Sequence, residues 1–424
     1  MYKESSYNKF FLEKGSIFLF NSFSKACIKI EKKDLERIKK VLKEKNLCKG
    51  VENKSQKVLI KNGFIIPKET NELEILEYLY KSNYFSTSKI AVALVPTLRC
   101  NFRCPYCFEA KSRKGNNESK DYFEVLKKFS DKNFKNKKKV HIGLFGGEPL
   151  LKRKELFSYL EYLLNQSEKY RYKLSTNIVT NGFFLDEETV KKLLKYKCIS
   201  IQITLDGGKE THNKLRVPHN GEETFDKIVN NFKRAIKYSI KIKSQTKFIL
   251  RVNLLNQKVE DLKSIFEAFD EKERKKINVI FRPVYSTSQF KQINCNTTYD
   301  LKKFYDKSKE YGYGAAKNNY YFQYCESDGG INFFYITPDL KIWKCINEPT
   351  KTANIGHLNK NGEMKLDPTN IATWSGKSNP FKDEKCKKCY YLPVCYGGCP
   401  LYRIKTGKRR CTTKDMAITP YFYN

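Results

Sequence analysis

The chain has 424 residues, 40% of them hydrophobic, and a formal net charge of +36 from 82 Lys and Arg against 46 Asp and Glu. That length supports two to three domains with substantial cores. The charge steers anionic partners toward the surface, but the lysines are scattered, with only Lys137-Lys138-Lys139 as a notable run, so charge alone makes no case for nucleic acid. No apolar run is long enough to span a bilayer and Met1 to Phe11 has no signal-peptide pattern, which argues against a membrane partner. The chain has fourteen cysteines, and the metal-type clusters that ten of them form fit a reducing cytoplasm.

Residues 1–88 open with three predicted strands, Phe10-Phe11-Leu12, Ile17-Phe18-Leu19-Phe20 and Ala26-Cys27-Ile28-Lys29-Ile30, with turns at Gly15 and Asn21-Ser22. Leu35, Ile38 and Val41-Leu42 share one face of a predicted helix from Asp34 to Lys45. A shorter helix near Ser55 to Asn62 leads through Gly63 into Phe64-Ile65-Ile66-Pro67. Strands followed by helices in so short a segment resemble the RiPP recognition element, a winged-helix-like α+β domain that binds the leaders of ribosomally made peptides. The resemblance implies leader capture by strand addition at a sheet edge. A plain cap on the next domain and a DNA-binding winged helix fit the same pattern.

Six strand patterns follow: Ile90 to Leu98, Val140 to Phe145, Tyr172 to Thr180, Ser200 to Leu205, Phe248 to Leu254 and Ile277 to Val284. Helical periodicity lies between and after them, over Tyr122 to Phe129, Leu156 to Leu164, Glu187 to Leu194, Phe225 to Ile236, Leu262 to Phe269 and Leu301 to Tyr311. Asp186 before Glu187-Glu188 reads as a helix N-cap. Such alternation predicts a parallel sheet with right-handed crossovers. Six units, with the candidate ligands just past strand C-termini, fit an incomplete β/α barrel and its active face.

Those strand ends carry the chemistry. Past the first come Cys100, Cys104 and Cys107, spaced Cys-x3-Cys-x2-Cys. Iron-sulfur clusters normally take four thiolates, so three in one loop can leave an iron open for an outside ligand. A zinc site is the alternative, although such sites more often pair two hooks. Past the second strand comes Gly146-Gly147-Glu148-Pro149, where two glycines allow close approach of a ligand and a carboxylate suits an ammonium. An ordinary turn reads the same way. The third strand ends in Asn181-Gly182 and the fourth in Thr204-Leu205-Asp206-Gly207.

The cysteine spacing followed by Phe108-Glu109, with Gly-Gly-Glu-Pro behind it, resembles the radical S-adenosylmethionine (radical SAM) enzymes. The resemblance implies a partial (β/α)6 barrel of TIM type, with Cys100, Cys104 and Cys107 holding a [4Fe-4S] cluster that binds S-adenosylmethionine. Reductive cleavage of that cofactor yields a 5'-deoxyadenosyl radical, which takes hydrogen from a substrate carbon. Gly146, Gly147 and Glu148 would hold the methionine amino group, Asn181 and Thr204 the ribose or carboxylate, and Arg216 the carboxylate. Phe145 and Tyr106 flank two motifs and either line the adenosine site or pack; His212 reads as structural. A flavodoxin or ferredoxin would supply the electron.

Near the C-terminus, Cys386-x2-Cys389-x5-Cys395-x3-Cys399 is preceded by Cys325 and Cys345 and followed by Cys411. This resembles the SPASM domain and implies two auxiliary clusters, three [4Fe-4S] clusters in all. Cys386, Cys389, Cys395 and Cys411 would hold the outer cluster, and Cys325, Cys345 and Cys399 the inner one. Two departures stand out. Leu340 occupies the glycine place of a Pro-Asp-Gly turn. Ile331 and Ile346 stand where sulfatase-maturating relatives have an extra cysteine and a base aspartate, which argues against formylglycine formation. The inner cluster then has an open iron or takes Glu326 or Asp328. Zinc is the alternative for this block too. Cys27, Cys48 and Cys198 read as structural, while Cys295 is a candidate for a redox or ligand role.

The expected fold is therefore α/β: an N-terminal winged-helix-like domain over 1–88, a radical SAM partial barrel over 89–312 and a cysteine-rich SPASM domain over 313–424. Three functions fit. The first is a maturase that cross-links a leader-bearing ribosomal precursor peptide, foremost through a Cys thioether of sactipeptide or ranthipeptide type, with carbon-carbon linkage and epimerisation as variants. The second is a sulfatase-maturating type of protein modifier. The third is a basic zinc-containing nucleic-acid-binding protein.

Overall fold

A computed structural model describes residues 1–13, 15–44, 54–107, 109, 118–284, 300–315, 330–345, 353–409 and 411. Phe108, Cys48, Cys295, Cys325, Glu326, Asp328 and Ile346 lie outside the described residues. The chain divides into two compact units: residues 1–86, 317–331 and 372–424 form one, and residues 87–316 and 332–371 the other. No helix among the described residues is long and apolar enough to cross a membrane.

In the first unit, strands β1 (Tyr2–Glu4), β2 (Asn8–Glu13), β3 (Ser16–Asn21), β4 (Cys27–Ile30) and β5 (Ile65–Pro67) accompany helices α1 (Leu35–Leu42), α2 (Lys54–Lys61) and α3 (Glu72–Tyr84). β2, β3 and β4 form an antiparallel sheet in that order, and β1 pairs with β5. Among the described residues, the outer edge of β4 carries no strand. Leu19, Ile30, Leu42, Leu59, Phe64 and Ile65 make the core, which is the apolar set that the strand and helix patterns present. Helix α3 is an addition to the sequence reading. Asn71 caps it, its Oδ1 accepting from Glu74 N at 3.3 Å. Its Leu76, Tyr80 and Tyr84 join Tyr7, Phe381, Cys386 and Leu392 in a second core, so the start and end of the chain share one interior.

The second unit is built on one sheet, with β6 (Lys89–Leu94), β7 (Lys139–Leu144), β8 (Lys173–Val179), β9 (Cys198–Thr204), β10 (Lys247–Leu254) and β11 (Ile277–Pro283) as parallel neighbours in chain order. Helices α4 (Tyr122–Asn133), α5 (Arg153–Tyr170), α6 (Glu187–Lys195), α7 (Lys209–Leu215), α8 (Phe225–Lys241), α9 (Lys263–Glu267), α10 (Glu271–Arg274) and α11 (Leu301–Glu310) follow or separate them. Among the described residues the ring does not close. β12 (Gly314–Ala315) takes the far edge of β11, and β13 (Phe333–Ile336) the far edge of β6, followed by the antiparallel β14 (Lys341–Trp343), β15 (Asn354–Leu358) and β16 (Met364–Leu366). This is the partial barrel expected. The helix expected over Leu262 to Phe269 is α9, which ends at Glu267, and the chain restarts beyond it as α10, where Asp270 and Glu273 form a capping box.

The two faces of the sheet differ. Val140, Ile142, Leu144, Ile178, Ile201, Ile203, Phe248, Leu250 and Val252 are all but inaccessible. Most of the alternate residues, His141, Ser175, Asn177, Ser200, Gln202, Arg251 and Asn253, are polar, with Gly143 and Ile249 among the exceptions. On that face His141 bonds Ser175 Oγ at 2.9 Å and Asn177 Oδ1 at 2.8 Å, while Arg251 Nε donates to Asn253 Oδ1 at 2.8 Å. A period-2 strand has two faces; here one is dry and the other is largely polar, with hydrogen bonds between neighbouring strands.

The Pro338-Asp339-Leu340 turn between β13 and β14 keeps the geometry that a glycine would favour, since Leu340 sits at φ 62°. Thr337 O accepts from Leu340 N at 2.8 Å, and Thr337 Oγ1 donates to Asp339 Oδ1 at 2.6 Å.

Candidate active site

The cysteine loop leaves β6 at Val95 and is held against the next strand end by main-chain bonds. Gly147 N donates to Thr97 O at 3.1 Å and Glu148 N to Arg99 O at 2.9 Å. A Cβ on Gly147 would stand 2.1 Å from Arg99 O, and one on Gly146, at φ 121°, would stand 2.7 Å from Val95 Cγ1. Both glycines are thus required by the approach of the two loops. Phe145 packs beside Val95 and Leu98.

Glu148 is buried and its carboxylate works inside the protein. Oε1 accepts from Leu150 N at 3.1 Å and Thr180 Oγ1 at 2.8 Å, and Oε2 from Asn181 N at 2.8 Å. Burial raises its pKa above the ordinary carboxylate value, and the hydrogen bonds from Asn181, Thr180 and Leu150 pull the other way. Asn181 extends the chain of contacts: its Nδ2 donates to Asn101 Oδ1 at 2.7 Å and lies 3.9 Å from Cys100 Sγ. Glu148 therefore links the Gly-Gly-Glu-Pro segment to the end of β8, and Asn181 links that strand end to the cysteine loop.

A second buried network underlies Cys104 and Cys107. The hydroxyl of Tyr106, between them, donates to Asp206 Oδ2 and accepts from Arg216 Nη1 at 3.0 Å, with Asn253 Nδ2 at 3.4 Å. Arg216 Nη1 lies 3.5 Å from Asp206 Oδ2, and its guanidinium sits 5.6 Å from the Phe102 ring. Burial pushes the Asp206 carboxyl up, while Arg216 draws it down. His212 is buried and structural: Asp206 N donates to its Nδ1 at 3.4 Å, its Nε2 meets Thr224 Oγ1 at 3.2 Å, and burial then Arg216 hold its pKa well below the usual range. Tyr106 thus has a hydrogen-bonding place that its position next to a strand end did not reveal. Asn253 was missed altogether, although alternation along β10 puts it on the polar face. Thr204 ends β9 in register with Arg251 and has no side-chain bond to the loop among those described.

Three half-buried thiols in one loop match the donor chemistry of an iron-sulfur cluster. Among the described residues no three Cys, His, Asp or Glu side chains are gathered as a metal cage. Beside the thiols, however, two buried donors, Asn101 Nδ2 and Arg216 Nε, have no partner among the described residues. Against its own burial, Arg216 is held protonated by Cys104, Asp206 and Cys100. Unsatisfied donors and a cation beside the cysteine sulfurs suit an anionic guest.

The C-terminal cysteines Cys386, Cys389, Cys395, Cys399 and Cys411 lie in the first unit, on and around the helical turns Glu384–Lys387, Leu392–Cys395 and Pro400–Thr406. Cys389 N donates to Cys386 O at 2.9 Å, and Gly398 N to Cys395 O at 3.1 Å. Cys345 belongs to the other unit, where it is buried just after β14. Cys198 is buried too, and burial lifts its thiol to about 12, as expected of a structural cysteine. Cys27 is half-buried in β4, raised to about 11 by burial.

Residues 94–269 match the family model of the Radical SAM superfamily. The cysteine-type anaerobic sulfatase-maturating enzyme of Clostridium perfringens (strain 13 / Type A) is 26% identical over 325 residues, covering 71% of this chain and 85% of that protein. Two solved structures share the fold. Native anSMEcpe with bound AdoMet and Cp18Cys peptide has a TM-score of 0.51 at 21% identity, covering 73% of this chain and 89% of its own. Streptococcus suis SuiB bound to precursor peptide SuiA has a TM-score of 0.51 at 18% identity, covering 96% of this chain and 97% of its own.

Proposed function

From a chain that carries the radical SAM domain of that enzyme superfamily, and so is no zinc-only nucleic-acid binder, we propose a peptide maturase that cross-links a leader-bearing ribosomal precursor. One observation carries this reading. The fold likeness to anSMEcpe extends over 73% of the chain, whereas that to SuiB with its precursor peptide extends over 96%, so the additional part has a counterpart in a protein that binds a precursor.

In this reading Cys100, Cys104 and Cys107 hold a [4Fe-4S] cluster, which with S-adenosylmethionine supplies a 5'-deoxyadenosyl radical for hydrogen abstraction. The chain's own residues position and enclose. The Glu148 and Asn181 contacts fix the cysteine loop from one side, and Asp206 and Arg216 fix Tyr106 from the other. Arg216 Nε and Asn101 Nδ2 are donors available to the cofactor carboxylate, with Gly146, Gly147 and Thr204 bordering the same strand ends. The polar sheet face gives a peptide main chain partners that an apolar barrel would lack. The outer edge of β4, within residues 1–88, which no strand among the described residues covers, suits strand addition by a leader.

Residues 313–424 act as a SPASM domain: Cys386, Cys389, Cys395 and Cys411 hold an outer auxiliary cluster, and Cys325, Cys345 and Cys399 an inner one. With the barrel over 89–312 this makes three clusters, fed by a flavodoxin or ferredoxin in the cytoplasm. Ile331, in the place of an additional cysteine, leaves the inner cluster three thiolates, and a substrate cysteine as fourth ligand favours a thioether product. The test is anaerobic co-expression with a short cysteine-rich peptide encoded beside this gene. A product lighter by two hydrogens, its cysteine resistant to alkylation after reduction, supports the reading. Loss of two hydrogens with every cysteine alkylatable transfers it to carbon-carbon linkage, and an unchanged peptide with no stimulation of 5'-deoxyadenosine formation refutes it.

A further inference from the structure

Arg403 lies on the helical turn Pro400–Thr406, which starts directly after Cys399. It is buried. Its Nη2 donates to Cys386 Sγ at 3.3 Å and to Gly397 O at 3.0 Å, and its Nη1 to Asp383 Oδ2 at 2.9 Å. Asp383 also accepts from Lys385 N at 3.0 Å and Cys386 N at 3.2 Å, and from Arg409 Nη1 at 2.8 Å. One carboxylate thus holds both the main chain of Cys386 and the guanidinium that touches its sulfur. Gly397, at φ 91°, makes room: a Cβ there would stand 2.8 Å from Pro380 Cβ and 3.1 Å from Arg403 Nη2.

The charges do not balance within this group. Two guanidinium cations meet one carboxylate, and the surplus positive charge lies against a cysteine sulfur. A neutral thiol is a weak acceptor and gives little return for burying an arginine, whereas a thiolate or cluster-bound sulfur is an anion that does. Hydrogen bonds to cluster sulfurs and net charge set iron-sulfur potentials, because they stabilise the reduced, more negative state.

We propose that Arg403 is a positioning residue for the outer auxiliary cluster, orienting Cys386 and raising that cluster's reduction potential through the N–H···S bond. This rests on the two-cluster reading of the C-terminal cysteines. The experiment uses the full chain with Cys100, Cys104 and Cys107 changed to Ala, so that only C-terminal clusters contribute. EPR-monitored redox titration of Arg403→Gln should show, at unchanged iron content, at least a tenfold weaker reduction equilibrium, about 59 mV more negative for one electron. Arg403→Lys, which keeps the charge, should shift less. Pulsed EPR of the parent protein labelled with 15N-arginine should show nitrogen coupled to a reduced cluster, absent in Arg403→Lys. An unshifted potential in Arg403→Gln with full iron, or no 15N coupling in the parent, overturns the proposal; the labelled parent decides it if Arg403→Gln fails to fold. A parent protein that binds no iron overturns the two-cluster reading instead, and the inference with it.

Discussion

Glu148 is where the motif reading and the geometry make different demands, and Glu148→Gln separates them. In the folded protein its two oxygens accept three hydrogen bonds, from Leu150 N, Thr180 Oγ1 and Asn181 N. Glutamine offers one oxygen and one NH2, so at least one of these donors faces another donor and goes unsatisfied, at about 1–3 kcal/mol. The surviving bonds lose charge assistance, while relief of the buried charge offsets part of the cost; about 2 kcal/mol of local destabilisation remains by the same scale. In the Cys100, Cys104 and Cys107 to Ala background, where cofactor binding is not at issue, amide exchange at Leu150 and Asn181 should then quicken about thirtyfold. The pH dependence has a definite sign. Because the folded-state pKa of Glu148 is raised, the folded protein takes up the proton first as pH falls toward 4.5 and is stabilised by it, a gain lost again as pH rises through the raised value. Glutamine has no such proton, so the gap between parent and variant widens as pH is lowered. Unchanged exchange in Glu148→Gln, at any pH, would refute the claim that the carboxylate clamps the loop and return it to the cofactor.

Leu340→Gly removes a left-handed conformation that costs a non-glycine residue roughly 1–2 kcal/mol and adds about 0.5–1 kcal/mol of chain entropy, so slower exchange in the β13–β14 hairpin is expected; faster exchange would contradict the strain. Leu340→Val should loosen the same hairpin. Changing Cys100, Cys104 and Cys107 together to Ala should abolish 5'-deoxyadenosine formation while iron remains at the C-terminal cysteines, measured by product chromatography and iron assay; a wild-type rate of formation would disprove the assignment. Tyr80 stacks on Tyr84 at 5.7 Å and Tyr396 at 5.9 Å and meets Phe381 at 5.4 Å, so Tyr80→Ala should cost about 3–5 kcal/mol and lower iron retention at Cys386 and Cys389. Full retention would show that the aromatic core does not support them.

Much of the barrel was legible because its strands are short β-branched runs bounded by polar turns, and its helices have one apolar stripe each. Helix α3 escaped for the opposite reason. Leu73, Ile75, Leu76, Tyr78, Leu79 and Tyr80 are apolar nearly all round, so periodicity points nowhere; Asn71 with Glu74 three residues on was the signal to use. The meander β13 to β16 was seen only as a turn, since each strand has five residues or fewer. In the site, spacing located the cysteines and both glycines, but spacing does not tell a carboxylate that meets a ligand from one that satisfies main-chain donors. That distinction for Glu148, like the union of Tyr106, Asp206, Arg216 and Asn253 from three distant segments, depends on tertiary neighbours. So does the sharing of a core by Tyr7 and Leu392.

That shared core bears on the order of events during synthesis. The sheet unit is encoded almost wholly between residues 87 and 371, and can form while the ribosome is still at work. The face made by Tyr7, Leu76, Tyr80 and Tyr84 must wait for Phe381, Cys386 and Leu392, some three hundred residues later. Until then it is an exposed aromatic surface, open to chaperones or to aggregation. A chain cut short before residue 372 should therefore keep a folded barrel while the core of the first unit stays unfinished and open.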